Sequence, residues 1–174
     1  MTTVRSDVFK IGDNFATLLG DEVKVGDVAP EFNSVVMGWG KVNPLQESKG
    51  KVIILSAVPS LETDVCDRET RRFNEEAAKL DDDIVIYTIS CDFPMTQKRW
   101  CGAAGVEKLK VVSDVLDAEF GVKYGILIKE RRYLRRSVFI VGRDGKLTYV
   151  NYLPTLGDEP NYEEVIAEAK KALG

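Results

Sequence analysis

KVIILSAVPSLETDVCDRETRRF (residues 51–73) passes from a near-continuous apolar run through a turn-rich link into a charged stretch of helix-forming residues. Apolar runs of this kind are typical of central strands covered on both faces. Pro59 ends the run, because proline cannot donate to a sheet ladder. Thr63 and Asp64 are candidate N-caps for a helix over 64–80, along which Phe73, Ala77 and Leu80 recur at spacings of four and three. Glu69 lies too far along to complete a capping box with either residue. The stretch therefore reads as strand, turn and helix, with Cys66 in the first helical turn.

Working outward, DDDIVIYTIS (81–90) turns into a second buried strand. Residues 95–104 form a short helix, KVVSD (110–114) a short strand and VLDAEFGV a further short helix. RSVFIVGRDGKLTYVNYL (136–153) is a hairpin with Asp144-Gly145 at its turn. DEPNYEEVIAEAKKAL (158–173) is an amphipathic C-terminal helix, with Asn161 or Asp158 at its cap. At the other end, residues 1–25 form an N-terminal β-hairpin extension: DVFKI, a Gly12-Asp13-Asn14 turn and FATLL, with EVKV as a possible further strand. The predicted element order is hairpin, β, α, β, α, β, α, hairpin, α. That order describes an α/β protein with a central mixed sheet flanked by helices, and the thioredoxin-like fold matches it best. The chain, 1–174, reads as a single domain.

Composition excludes several classes of function. A net charge of −4 offers no excess of Lys and Arg for phosphate backbones. The one basic cluster, KERRYLRR (129–136), reads mostly as a solvated loop or strand edge. No run approaches the roughly 20 apolar residues that span a bilayer, and the N-terminal residues lack a signal-like apolar core, so no membrane or nucleic-acid partner is expected and the expected location is cytoplasmic. There are three cysteines and no histidine. Scattered cysteines without histidine make a structural zinc site improbable and leave no Ser-His or Cys-His pair. No Cys-x-x-Cys pair and no phosphate-binding glycine motif is present.

A cysteine nucleophile acts as its thiolate. In the first turn of a helix, free backbone N–H groups and the helix dipole favour an anion. Nearby arginine does the same, so Cys66 needs no histidine base. Arg68, Arg71 and Arg72 lie on or near this helix, and Arg135 or Arg136 could approach from the late hairpin. Burial as a small apolar residue is the competing reading for Cys66, and it fits Cys91, at the end of the strand IVIYTISC, far better. Cys101, in QKRWCGAAG, is open to either reading on its own.

Pro59, Thr63 and Cys66 match the P-x-x-x-[TS]-x-x-C pattern of peroxiredoxins. The longer run VPSLETDVCDRETRRFNEEAAKL and the block CDFPMTQKRWCGAAG resemble the thiol peroxidases, which are atypical two-cysteine members of that family. The N-terminal hairpin, VKVGDVAPEF and RRSVFIVGRDGKLTYV fit in the same order. The resemblance implies a thiol-specific peroxidase that acts on hydrogen peroxide and organic hydroperoxides in antioxidant defence. It implies Cys66 as the peroxidatic cysteine and Cys101 as the resolving cysteine, joined in an intramolecular disulfide that thioredoxin recycles. Thr63 and Arg136 would hold the peroxide, Arg136 rather than Arg135 because the family places this arginine just before SVFIV. Pro59 and Val65 would help position the substrate. A homodimer is implied, and no metal, haem or flavin cofactor is called for. The residues by themselves leave two other readings open, a redox sensor at Cys66 and a dithiol exchanger, the latter weakened by the missing Cys-x-x-Cys.

Overall fold

The computed structural model describes residues 1–174. In chain order the elements are β1 (Val4–Ile11), β2 (Asn14–Leu19), β3 (Ser34–Val35), β4 (Lys41–Val42), α1 (Pro44–Glu47) and β5 (Val52–Ala57). They continue with α2 (Asp64–Ala77), β6 (Ile84–Ser90), α3 (Pro94–Ala104), β7 (Lys110–Ser113), α4 (Glu119–Lys123), β8 (Leu127–Ile128) and β9 (Tyr133–Leu134). The chain closes with β10 (Ser137–Val141), β11 (Leu147–Tyr152) and α5 (Tyr162–Leu173).

The main sheet has the strand order β11-β10-β5-β6-β7-β3-β4. Its centre, β5-β6-β7, is parallel, and β10 and β11 are antiparallel to their neighbours. This is the mixed sheet expected from the element order. Every residue of β5 is buried. Strand parity divides them between two cores. Val52 and Ile54 pack with Phe73 of α2 and with Val165 and Ile166 of α5. Ile53, Leu55 and Ala57 pack on the opposite face with Phe32, Phe120 and Tyr124. The next in-phase residue on the α2 face is Ser56, a polar group in an otherwise apolar row.

The N-terminal hairpin pairs with β8 and β9 in a separate four-stranded sheet, β1-β2-β8-β9, so it is bound into the body of the molecule. Phe9, Ala16, Leu18 and Ile128 form its own small core. The further strand at EVKV does not form. The Lys24 N–H bonds to Asp27 Oδ2, and the Val23 N–H to the Tyr152 hydroxyl, so tertiary partners take the groups a ladder would need. Helix α2 stops at Ala77 rather than Leu80, because the last residues tighten into bonds from Lys79 N to Glu76 O and from Leu80 N to Ala77 O. Asn161 caps α5 by accepting from the Glu164 N–H at 3.1 Å, while Asp158 serves the preceding turn through the Thr155 N–H.

Candidate active site

Helix α2 presents Cys66, Glu69, Thr70 and Phe73 to the interior, the i, i+3, i+4, i+7 stripe of an amphipathic helix. Thr63 is its N-cap by position, but its hydroxyl donates back to Ser60 O at 3.0 Å rather than capping the helix. The first turn-closing bond runs from Asp67 N to Thr63 O, 2.9 Å. The N–H groups before it, those of Val65 and Cys66 among them, have no partner inside the helix and remain available to an anion.

Strand parity brings in the second half of the site. Val138 and Ile140 of β10 face α2, and Phe139 and Val141 face the other core. Continued back two residues, the same alternation sends Arg136 to the α2 face and Arg135 away from it. Arg136 is 1% exposed and its Nη2 donates to Cys66 Sγ at 3.2 Å. Nη1 donates to Glu69 Oε2 at 2.5 Å. Nε and Nη2 both donate to the Leu156 carbonyl, at 3.0 and 2.9 Å. Glu69 takes a second bond on Oε1 from Ser56 Oγ, 3.0 Å. Cys66 and Glu69 are each 0% exposed.

A buried ion pair is costly to desolvate and persists only when its remaining groups are hydrogen-bonded. Here both carboxylate oxygens and both ends of the guanidinium are satisfied. Burial pushes the Glu69 carboxyl up to about 7, against the pull of Arg136 and of the Ser56 hydrogen bond. Burial also works against the Arg136 charge, but Glu69 and Cys66 outweigh it and hold its pKa above the ordinary arginine value. A positive charge is thus fixed at hydrogen-bond distance from the sulfur at every ordinary pH.

The other arginines have different partners. Arg68 faces Glu159, Arg71 bonds Asp67, and Arg72 bonds Glu76 and Glu163. Arg135 bonds the Leu153 carbonyl and stacks over Phe9. The basic cluster is therefore split: Arg131 and Arg132 are exposed as expected, while Arg135 and Arg136 are buried.

Of the residues singled out in the sequence, the fold brings Cys66 and Arg136 into contact. Pro59 is buried at the end of β5, Thr63 is exposed and Val65 is half-buried, all on the link and first turn leading to Cys66. Cys101 stands apart, on α3. It lines a cavity of about 140 Å³ with Val36, Met37, Gln97, Leu109 and Val111, none of them from α2. All three cysteines are free thiols. Cys91 is pushed up to about 12 by burial and by the neighbouring Asp114 and Asp92 carboxylates, which suits an inert packed thiol. No group of three or more Cys, Asp or Glu side chains is arranged to hold a metal ion.

Sequence reasoning missed Glu69, Ser56 and the Leu156 carbonyl. Glu69 had a signal: it follows Cys66 by three residues and so shares its helix face. Ser56 had a weaker one, as the single hydroxyl in an apolar strand. The Leu156 carbonyl had none, because its place depends on how the loop after β11 folds back.

The chain is similar to known proteins over most of its length. The family model described as Redoxin matches residues 24–166. A protein of Bacillus subtilis (strain 168) described as "Thiol peroxidase" is 52% identical over 157 residues, covering 90% of this chain and 92% of that one. Another of that description, from Halalkalibacterium halodurans, is 49% identical, covering 92% of this chain and 95% of that one. Among solved structures, a peroxiredoxin-like protein from Aquifex aeolicus superposes with a TM-score of 0.86 at 34% identity, covering 98% of each chain. A thiol peroxidase from Chromobacterium violaceum, at 19% identity, shares the fold, with a TM-score of 0.80 over 95% of this chain and 96% of that one. The chain belongs to the redoxin family, in its thiol peroxidase branch. The expected thioredoxin-like fold and peroxidase class, an oxidoreductase, are both met.

Proposed function

We propose that the protein reduces hydrogen peroxide and organic hydroperoxides to water and alcohols through Cys66. The observation that carries this reading is the 3.2 Å contact between Arg136 Nη2 and Cys66 Sγ inside a buried, ion-paired site. The Cys66 thiolate attacks one peroxide oxygen in line with the O–O bond. That bond breaks, and negative charge develops on the leaving oxygen. Arg136 and the free N–H groups of the first turn of α2 are the donors suited to that charge; the Thr63 hydroxyl joins them by turning from the Ser60 carbonyl, with Pro59 and Val65 shaping the approach. The leaving oxygen takes a proton and departs as water or alcohol, and Cys66 becomes a sulfenic acid.

Cys101 then attacks the Cys66 sulfur. An S–S bond forms, the S–O bond breaks, and hydroxide leaves with the thiol proton as water. Thioredoxin, or a dithiol of that kind, returns both thiols by exchange. The two sulfurs must come within about 2.05 Å, which requires the helices that carry them to loosen. A cytoplasmic homodimer in antioxidant defence is the setting we assign to this chemistry. No helix is long and apolar enough to cross a membrane.

The test is a thioredoxin-coupled peroxide assay together with mass spectrometry of the peroxide-treated protein. Sustained turnover and a Cys66–Cys101 cross-link are expected. A single turnover that stalls, or a cross-link through Cys91, would refute the cycle as written.

A further inference from the structure

Helix α3 is held at two places of different kinds. Near its start, Gln97 is 3% exposed, and its Nε2 donates to Ser90 Oγ at 3.0 Å and to the Val112 carbonyl at 2.9 Å. Ser90 Oγ donates in turn to Asp92 Oδ2 at 2.7 Å. Asp92 also accepts from Ser60 Oγ at 2.6 Å and from the Leu61 N–H at 2.8 Å. This end of α3 is built into the tips of β6 and β7 and into the link ahead of α2.

Toward its end α3 is held by a buried ring in the core and by polar contacts to α2. Trp100 is 7% exposed, and its indole Nε1 donates to Asp67 Oδ1 at 3.0 Å. Asp67 follows Cys66 directly. Arg71, one turn on, bonds the other Asp67 oxygen at 2.8 Å, lies over the Trp100 ring at 5.6 Å and donates to the Ala104 carbonyl at 3.2 Å. Beyond this clasp the helix stops at Gly105, in the left-handed conformation, with φ of 68°. Gly102 weakens the last turn further.

Cys101 sits one position past Trp100, about 100° around the helix. While Trp100 is seated on Asp67, Cys101 faces its cavity with Val36, Met37, Leu109 and Val111. Burial there holds its thiol above the ordinary cysteine range. The clasp and the disulfide therefore compete for one segment.

We infer that the Asp67–Trp100 hydrogen bond is a latch that keeps Cys101 turned away from Cys66, and that its release sets how fast the disulfide forms. Asp67 and Trp100 are positioning residues in this scheme: neither touches the peroxide. The latch rests on the peroxidase reading above and adds a choice of fates for oxidised Cys66. With the latch open, Cys101 displaces hydroxide from the sulfenic acid. With it closed, a second peroxide transfers an oxygen to the sulfenate, is itself reduced to alcohol or water, and leaves a sulfinic acid. The Gln97 anchor confines the opening to residues 100–105.

The experiment is rapid-quench mass spectrometry of the unaltered protein, Trp100→Phe and Asp67→Asn after one equivalent of hydrogen peroxide, then under excess. Trp100→Phe keeps the aromatic ring and removes the N–H. Its loss of the Cys66 thiol should proceed within about threefold of the unaltered rate, while disulfide formation accelerates about tenfold, the factor for one hydrogen bond to a charged group. The sulfinic fraction under excess peroxide should fall in step. Asp67→Asn keeps an acceptor for the indole N–H and loses the charge, so it should accelerate disulfide formation less than Trp100→Phe does, once its own first-step rate is divided out. Hydrogen exchange should show residues 100–105 losing protection on oxidation and residues 97–99, the first of α3 with bonded amides, keeping it. Unchanged or slower disulfide formation in both variants would overturn the latch alone, as would loss of protection confined to α2. An unaltered protein whose Cys66 thiol survives peroxide would overturn the peroxidase reading, and the latch with it.

Discussion

Arg135 turns to the N-terminal hairpin, where it bonds the Leu153 carbonyl, lies 4.6 Å over the Phe9 ring and approaches Glu22 at 3.8 Å. Arg136, the next residue, turns the opposite way, to Cys66, Glu69 and the Leu156 carbonyl. The two side chains have the same chemistry and differ in strand phase. One phase leads to the sheet face that carries α2, the other to the face that carries the hairpin. A one-residue shift of register would exchange their partners and leave the sulfur without its cation. The contrast separates two uses of a buried arginine: Arg135 joins two parts of the fold, and Arg136 fixes charge beside a nucleophile.

The sharpest way to break that contrast is to remove each guanidinium in turn. Arg136→Met should lower kcat/KM for peroxide by about 10²–10³, the usual loss for one donor to developing charge. It also strands Glu69, so the double variant Arg136→Met/Glu69→Gln should recover folding stability and none of the activity. Arg135→Met should leave kcat/KM within about threefold and cost about 1–2 kcal/mol of stability, or roughly 2–8 °C in Tm. Steady-state kinetics and thermal melts of the three variants decide it, and equal kinetic losses at both positions would remove the distinction.

Glu69 supplies a smaller effect with a defined sign. Its folded value of about 7 lies above the ordinary 4.5, so the folded state holds the extra proton between those limits. Its contribution to stability is fully present below pH 4.5 and is lost as pH rises through 7. Urea unfolding across this range should show the unaltered protein losing stability relative to Glu69→Gln as pH rises. A difference that grows in the opposite direction would mean that Arg136 dominates and holds the carboxylate ionised throughout.

The smallest expected effect is at Cys91. It lies outside the Cys66–Arg136 cluster, and burial keeps its thiol protonated. Cys91→Ser should leave peroxide turnover within about twofold and preserve the Cys66–Cys101 cross-link, read by thiol counting after peroxide. Loss of the cross-link would move the resolving role to Cys91.

Much of this was legible in the chain. The apolar run of β5, the proline that ends it and the spacing on α2 gave the central strand, the turn and the helix, and put Cys66 in the first helical turn. The apolar spacing of Ala77 and Leu80 predicts a helix a few residues longer than α2, which ends sooner because the backbone there has already tightened. The short strands β3, β4, β8 and β9 were not anticipated, since two-residue pairings carry no period. Glu69 cannot complete a capping box, but its three-residue distance from Cys66 places it on the same buried face.

The sequence by itself determined the strand–turn–helix unit, the first-turn position of Cys66 and the absence of any histidine to activate it. These follow from local rules: hydrophobic period, backbone donors and the dipole of a helix end. Tertiary structure alone decided which arginine meets the sulfur, what holds that arginine in place and which way Cys101 faces. Each of these depends on pairing between segments far apart in the chain. Residues 66, 69 and 136 meet because β10 lies antiparallel to β5 in one register, with Ser137 opposite Ala57, and α2 crosses the face on which Ser56 and Arg136 emerge.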